Sequence, residues 1–131
     1  ALATTRSRRR FDGFLASNTE AIRKALPSGS WGWARKVLNL VLRDAIYNAF
    51  LRDAWRLDRV EQWSELPLDG VVAAALRKRD RCLPSSFSLR TLTPVEHERY
   101  QEVARRWAAD AGTLPVHLDI EVWSGPKADS S

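Results

Sequence analysis

Apolar residues recur along most of this chain at intervals of three and four, the period of a helix with one dry face. Phe11, Phe14, Leu15, Ile22, Ala25 and Leu26 trace a first helix over 11–26. Ser17-Asn18-Thr19-Glu20 has a capping-box pattern inside it, so the helix is expected to restart there. Pro27-Ser28-Gly29-Ser30 then breaks the chain. From about Trp33 to Leu57 apolar positions fall on most sides, with Val37, Leu38, Val41, Leu42, Ala45, Ile46, Ala49 and Phe50 in helical period. So broad an apolar surface predicts a central, buried helix. Its polar positions concentrate on Arg35, Lys36, Asn39, Arg43, Asp44, Asn48 and Arg52.

The second half is punctuated more clearly. Asp58 is placed to cap a short helix through Trp63, and 67–79 forms another with Asp69 at or near its N-cap. Residues 80–92 read as an irregular loop. Thr93-Pro94-Val95-Glu96 combines an N-cap Thr, Pro at the first helical position and Glu at the third. That helix is expected to run to about Ala111 and close at Gly112, with Val95, Tyr100, Val103, Ala104 and Trp107 on its core stripe. Residues 116–123 alternate like a strand, but no convincing partner strand exists, and an isolated strand is unstable. A short final helix from near Pro115 is expected instead. The fold class is therefore all-α: a compact helical bundle over 11–125, a basic arm over 1–10, and a disordered tail over 126–131.

Composition narrows the picture. A chain of 131 residues is long enough for one domain with a real core. The single cysteine, Cys82, excludes an intrachain disulfide and leaves no zinc-spaced cluster, so a cytoplasmic protein without metal or cofactor is expected. Arginines near the start have no apolar stretch behind them, which argues against a secretory signal. No run of eighteen apolar residues is present to span a membrane. Lys and Arg number 21 against 16 Asp and Glu, an excess that favours an anionic partner. Arg6, Arg8, Arg9 and Arg10 form one basic cluster; Arg77, Lys78, Arg79 and Arg81 form another. Either would grip phosphates, or would simply be a solvated arm and a helix end whose cations complement the dipole.

The candidate chemistry lies at two helix starts. A nucleophilic lysine must be neutral, which desolvation or a neighbouring cation promotes. Lys36 follows a Gly/Ser/Trp turn, on the first turn of an apolar helix, beside Arg35. The amides of such a turn and helix start suit a phosphate. Asp69 heads a second helix after Glu65-Leu66-Pro67-Leu68. The order of motifs resembles the helix-hairpin-helix DNA glycosylases, most closely the archaeal-type 8-oxoguanine DNA glycosylase/lyase branch. The residues that carry the resemblance are Lys36-Val37-Leu38-Asn39-Leu40-Val41-Leu42 after the hairpin, Pro67-Leu68-Asp69 about thirty residues on, and Pro115-Val116-His117-Leu118-Asp119-Ile120-Glu121-Val122-Trp123.

The resemblance spans roughly 30–125. It implies a helix-hairpin-helix-like core, Lys36 as Schiff-base nucleophile and Asp69 as catalytic carboxylate. Asp119 and Trp123 would contact the flipped base, and oxidised guanine in double-stranded DNA would be the substrate. Ser30, Gly32, Arg35, Arg77, Lys78 and Arg79 are the candidate DNA contacts. Members of that family are longer, so the chain reads as a short, N-terminally reduced relative whose base pocket a partner chain or second copy completes; nucleoid association would follow from DNA binding. The alternatives are a non-catalytic helix-hairpin-helix DNA-binding module and a helical interaction protein that docks a larger partner.

Six tryptophans is a high count, and indoles serve cores and base stacking alike. Trp55, Trp63 and Trp107 fall on apolar faces and are expected in the core; Trp31 and Trp33 flank a glycine and are candidates for exposure. His97 is expected on a solvated helix face, His117 to bond backbone, and Cys82 to be a plain surface thiol.

Overall fold

Ser7 opens the first helix by accepting the Arg10 N–H on its hydroxyl at 3.2 Å. In the computed structural model, which describes residues 7–122, α1 then runs unbroken over Arg8–Ala25. The expected interruption does not occur. Thr19 is buried and donates its hydroxyl to the Leu15 carbonyl at 2.6 Å, so it satisfies itself within the helix instead of capping a new one.

After a five-residue turn, α2 spans Trp31–Tyr47, with Ser30 as N-cap. Trp31-Gly32-Trp33-Ala34 is thus the first turn of the helix and not part of the preceding loop. Asn48 ends α2 and at once caps α3 (Ala49–Trp55), its Oδ1 accepting the Leu51 N–H at 3.0 Å. The single long helix expected from 33 to 57 is therefore two. Arg56, at φ 54°, closes α3 in the left-handed region. Two 3₁₀ turns, Leu57–Arg59 and Glu61–Trp63, stand where one short helix was expected.

Asp69 caps α4 (Gly70–Arg79), and Thr93 with Glu96 forms the full capping box of α5 (Pro94–Ala111). Gly112 at φ 70° ends α5, as expected of a C-terminal glycine. A 3₁₀ turn at Pro115–His117 leads into helical residues 118–122. The protein is all-α, with no strand among the described residues.

Two apolar clusters divide the interior. Phe11 and Leu15 of α1 pack on Leu38, Leu42, Ala45 and Ile46 of α2, closed by Leu57, Val60 and Val116. Leu66, Leu68, Val72 and Leu76 pack on Tyr100, Val103 and Ala104 of α5, with Leu83, Leu89, Leu92 and Leu118. Polar contacts tie the halves together. The Ser30 hydroxyl donates to the Leu89 carbonyl at 2.8 Å. Within the second cluster, Gln101 grips the Leu66 peptide twice, donating to its oxygen at 2.8 Å and accepting its N–H at 3.1 Å. Gly32 lies directly against the Leu89 carbonyl.

The core assignments are corrected at two positions. Val95 is 73% exposed, because it falls on the outer side of the first turn of α5. Trp55 is 43% exposed, since α3 buries none of its residues fully. Trp63 and Trp107 are half-buried against the first and second clusters respectively.

Candidate functional site

Helix α2 carries two apolar faces, and the described residues cover only one of them. Ala34, Leu38, Leu42, Ala45 and Ile46 face inward. On the other side Trp33, Val37 and Val41, one turn apart, are 45%, 37% and 56% exposed. Lys36 and Leu40 sit half-buried between them. The helix expected to be central and buried is open to water along one side.

Lys36 belongs to that open face. Its Nζ stands over the Trp33 ring, 5.7 Å from the centroid, and no carboxylate of the described residues pairs with it. A cation at this range is attracted to the indole face. Asp69 heads α4, where its Oδ1 accepts the Val72 N–H at 2.8 Å. Asp69 stands at a helix start as expected, whereas Lys36 lies in the second turn of α2 and not the first, because the helix already begins at Trp31; no ion pair joins the two.

Arg35, on the opposite side of α2, turns inward instead of toward solvent. Its Nη1 donates to both Glu65 oxygens, at 3.0 and 3.1 Å, and its Nε donates to Thr19 Oγ1 at 2.7 Å. Asn39, one turn on, donates to Glu65 Oε1 at 3.0 Å, and His97 Nε2 lies 2.8 Å from the same oxygen. Trp31 closes the cluster, its ring 4.8 Å from the Arg35 guanidinium carbon and 5.1 Å, edge-on, from the His97 ring. His97 is 3% exposed, against the solvated position expected for it. Glu65 is the residue that sequence reasoning missed.

Burial alone would push the Glu65 carboxyl up. The hydrogen bond and charge of His97, then the Arg35 charge and the Asn39 amide, outweigh it and bring the pKa from 4.5 down to about 2. A depressed carboxylate pKa stabilises the fold above the unfolded value and withdraws that stability as pH falls through the folded one. Unfolding free energy is therefore expected to drop by about 3 kcal/mol between pH 5 and pH 2 from this residue alone. Urea denaturation midpoints across that range measure the loss. A cavity of about 360 Å³ between α1 and α5 opens onto the cluster, walled by Arg8, Trp31, Trp63 and Arg105 among others. Neither Lys36 nor Asp69 lines it.

A second polar chain runs at the far end of α2. The Tyr47 hydroxyl lies 3.0 Å from His117 Nδ1, and His117 Nε2 lies 2.5 Å from Glu61 Oε2. Arg52 Nη1 pairs with the other Glu61 oxygen at 2.6 Å. His117 is thus held by side chains, not by the backbone bond expected of it. Asp119 pairs with Arg43 through Oδ2, while its Oδ1 is buried without a partner. Burial, and next the Asp119 charge, push the Tyr47 hydroxyl up, so it stays protonated at neutral pH. Trp123 lies outside the described residues.

The remaining candidates separate by burial. Ser30 and Gly32 are buried at the start of α2, where the first caps the helix and the second packs on Leu89. Arg77 is half-buried with its Nε unpartnered; Lys78 is exposed, and Arg79 is exposed with its guanidinium 4.1 Å above the Trp107 ring. Arg8, Arg9 and Arg10 form the first turn of α1, while Arg6 lies outside the described residues. Cys82 is exposed.

The molecule so described is an all-α protein whose α2 joins an inward polar cluster to an open, lysine-bearing face. No protein-family model matches the chain, and neither a curated protein nor a solved structure does.

Proposed function

We propose that this chain excises damaged bases from DNA as a glycosylase with an AP-lyase step, with Lys36 as nucleophile and oxidised guanine as substrate. The observation that supports it best is the setting of Lys36. Its amine stands on an uncovered apolar face, beside an exposed indole, and is tied to no carboxylate of the described residues. An extruded nucleotide that covers this face would bring its sugar carbon within reach of the amine.

In the step proposed, the Nζ lone pair attacks sugar C1′. The glycosidic C1′–N bond breaks, and the base leaves with the bonding pair and takes up a proton. Loss of a proton from nitrogen and opening of the sugar ring give the imine. Asp69 has a part in this step only where the bound sugar reaches its carboxylate as well as Lys36, and there it acts electrostatically on the positive charge that develops at the sugar. Base extrusion is required because the reacting carbon is hidden in the stack.

Borohydride trapping tests this directly, because hydride reduces the imine to a stable secondary amine. Wild-type protein is expected to form a covalent adduct with a duplex carrying 8-oxoguanine, and Lys36→Gln to form none while still binding DNA. No adduct on either lesion or abasic duplexes would remove Lys36 as nucleophile. A second reading, docking to a partner protein, is favoured by the exposure of Val41 and of Phe50, the latter at 79%. It requires that the protein show no salt-dependent DNA affinity.

A further inference from the structure

We infer that the groove between α4 and the loop after it binds a small organic carboxylate with an apolar body, and that Arg77 is its charge partner. Arg77 carries a guanidinium short of acceptors. The residue is half-buried, its Nε is sealed from water without a hydrogen-bond partner, and no carboxylate of the described residues pairs with it. The acid that follows in the chain is already taken. Asp80 accepts from Arg106 Nη2 at 3.0 Å and from the Cys82 N–H at 2.9 Å. Buried polar groups are nearly always bonded in folded proteins, and charged ones cost most when they are not. An oxyanion is the group that Arg77 lacks.

The cavity that Arg77 lines decides which oxyanion. Its volume is about 180 Å³. That is below the roughly 300 Å³ at which drug-sized ligands begin, so it has room for one ring or a short chain. Gly70, Ala73 and Ala74 lie along it, on the same face of α4 as Arg77 at spacings of three and four. Pro84 and Phe87 form the opposite wall. The Phe87 ring meets Tyr100 edge-on at 5.5 Å, and Tyr100 is buried, so this wall is packed in place before a ligand arrives. Ser85 and Tyr100 add hydroxyls, and no acidic side chain of the described residues lines the cavity. One positive charge beside an apolar trench matches one negative charge on an apolar body. Lys78 and Arg79, which would suit a phosphate dianion, are exposed and lie outside the cavity, and Arg79 stands over the Trp107 ring. Arg77 also belongs to the last turn of α4, where the helix dipole disfavours a second negative charge. A carboxylate fits both limits, and its two oxygens match the guanidinium fork.

The test titrates three probes into the full chain and follows backbone amide shifts by NMR. Benzoate carries charge and ring, benzamide is its neutral counterpart, and inorganic phosphate is an anion without an apolar body. Benzoate is expected to bind and to move the amides of Ala74, Ser85 and Phe87. Benzamide is expected to bind at least about tenfold more weakly, the share of a charge-assisted hydrogen bond. Arg77→Gln removes the charge, and Ala74→Leu fills the groove from an exposed position. Each is expected to weaken benzoate about tenfold or more, with circular dichroism confirming that both variants are folded. No benzoate binding up to about 10 mM overturns the site. Equal binding of benzamide removes Arg77 as the charge partner, and phosphate binding as tight as benzoate removes the organic class. Loss of duplex DNA affinity in Arg77→Gln, with no benzoate binding in wild type, makes Arg77 a backbone-phosphate contact and overturns the carboxylate site as well.

Discussion

Glu65→Leu is expected to destabilise the protein by about 3–5 kcal/mol, the usual consequence of removing one partner from a buried ion pair. Three donors converge on Glu65 Oε1: the Arg35 guanidinium, the Asn39 amide and the His97 ring. Leucine fills a similar volume but leaves the Arg35 charge and the two polar groups without their acceptor. Asn39 is especially exposed to this change, because its own Oδ1 is already buried without a partner. Urea denaturation gives the number. The double variant Arg35→Leu/Glu65→Leu should lose less than the sum of the two single variants, because it removes the stranded charge together with its partner. Glu65→Leu should also remove the part of the acid sensitivity that this carboxylate supplies. A single-variant loss below about 1 kcal/mol would mean that water replaces the acceptor and that the cluster is not a clamp.

Gly32→Ala should be costly for a different reason. A Cβ there would lie well inside contact distance of the Leu89 carbonyl oxygen and 2.9 Å from Leu92 Cβ. The obstacle is backbone, so no rotamer relieves it. The start of α2 would have to separate from the 80–92 loop, breaking the Ser30–Leu89 hydrogen bond. A loss of about 3 kcal/mol is expected, at the upper end for overpacking. Gly13→Ala is the control. Nothing lies within 4 Å of its added carbon, and it sits inside α1, so it should gain about 0.5–1 kcal/mol of stability. Thermal denaturation of the two variants should move in opposite directions.

Sequence made three caps of the second half legible, but not the Asn48 joint, the absence of a restart at 17–20, or the polar interior. Thr93-Pro94-Val95-Glu96, Asp69 and Gly112 act where local chemistry places them, because a cap depends only on neighbours in the chain. Glu65 sits in an unremarkable linker, and its partners come from α2 and α5. No local pattern reports such a meeting. A trace did exist: His97, Tyr100, Gln101, Ala104 and Ala108 fall on one helical stripe, and all are buried. Reading Val95 onto that stripe, on the strength of its apolarity, displaced His97 from it. The open face of α2 was misread for the converse reason. Apolar period shows which positions favour burial, and not which of them the rest of the chain covers.

Asn48 has a consequence of its own. One residue both ends α2 and starts α3, so the two helices share a joint with no intervening loop. No residue of α3 is fully buried, and only Leu51 leans on the α1–α2 cluster. Opening at this joint would expose little new apolar surface, whereas opening anywhere along α2 would empty the first cluster. The fold thus contains a unit of low local stability. Its detachment would break the Arg52–Glu61 ion pair and the Leu51 contact, leave the first cluster closed, and carry Phe50 and Trp55 with it.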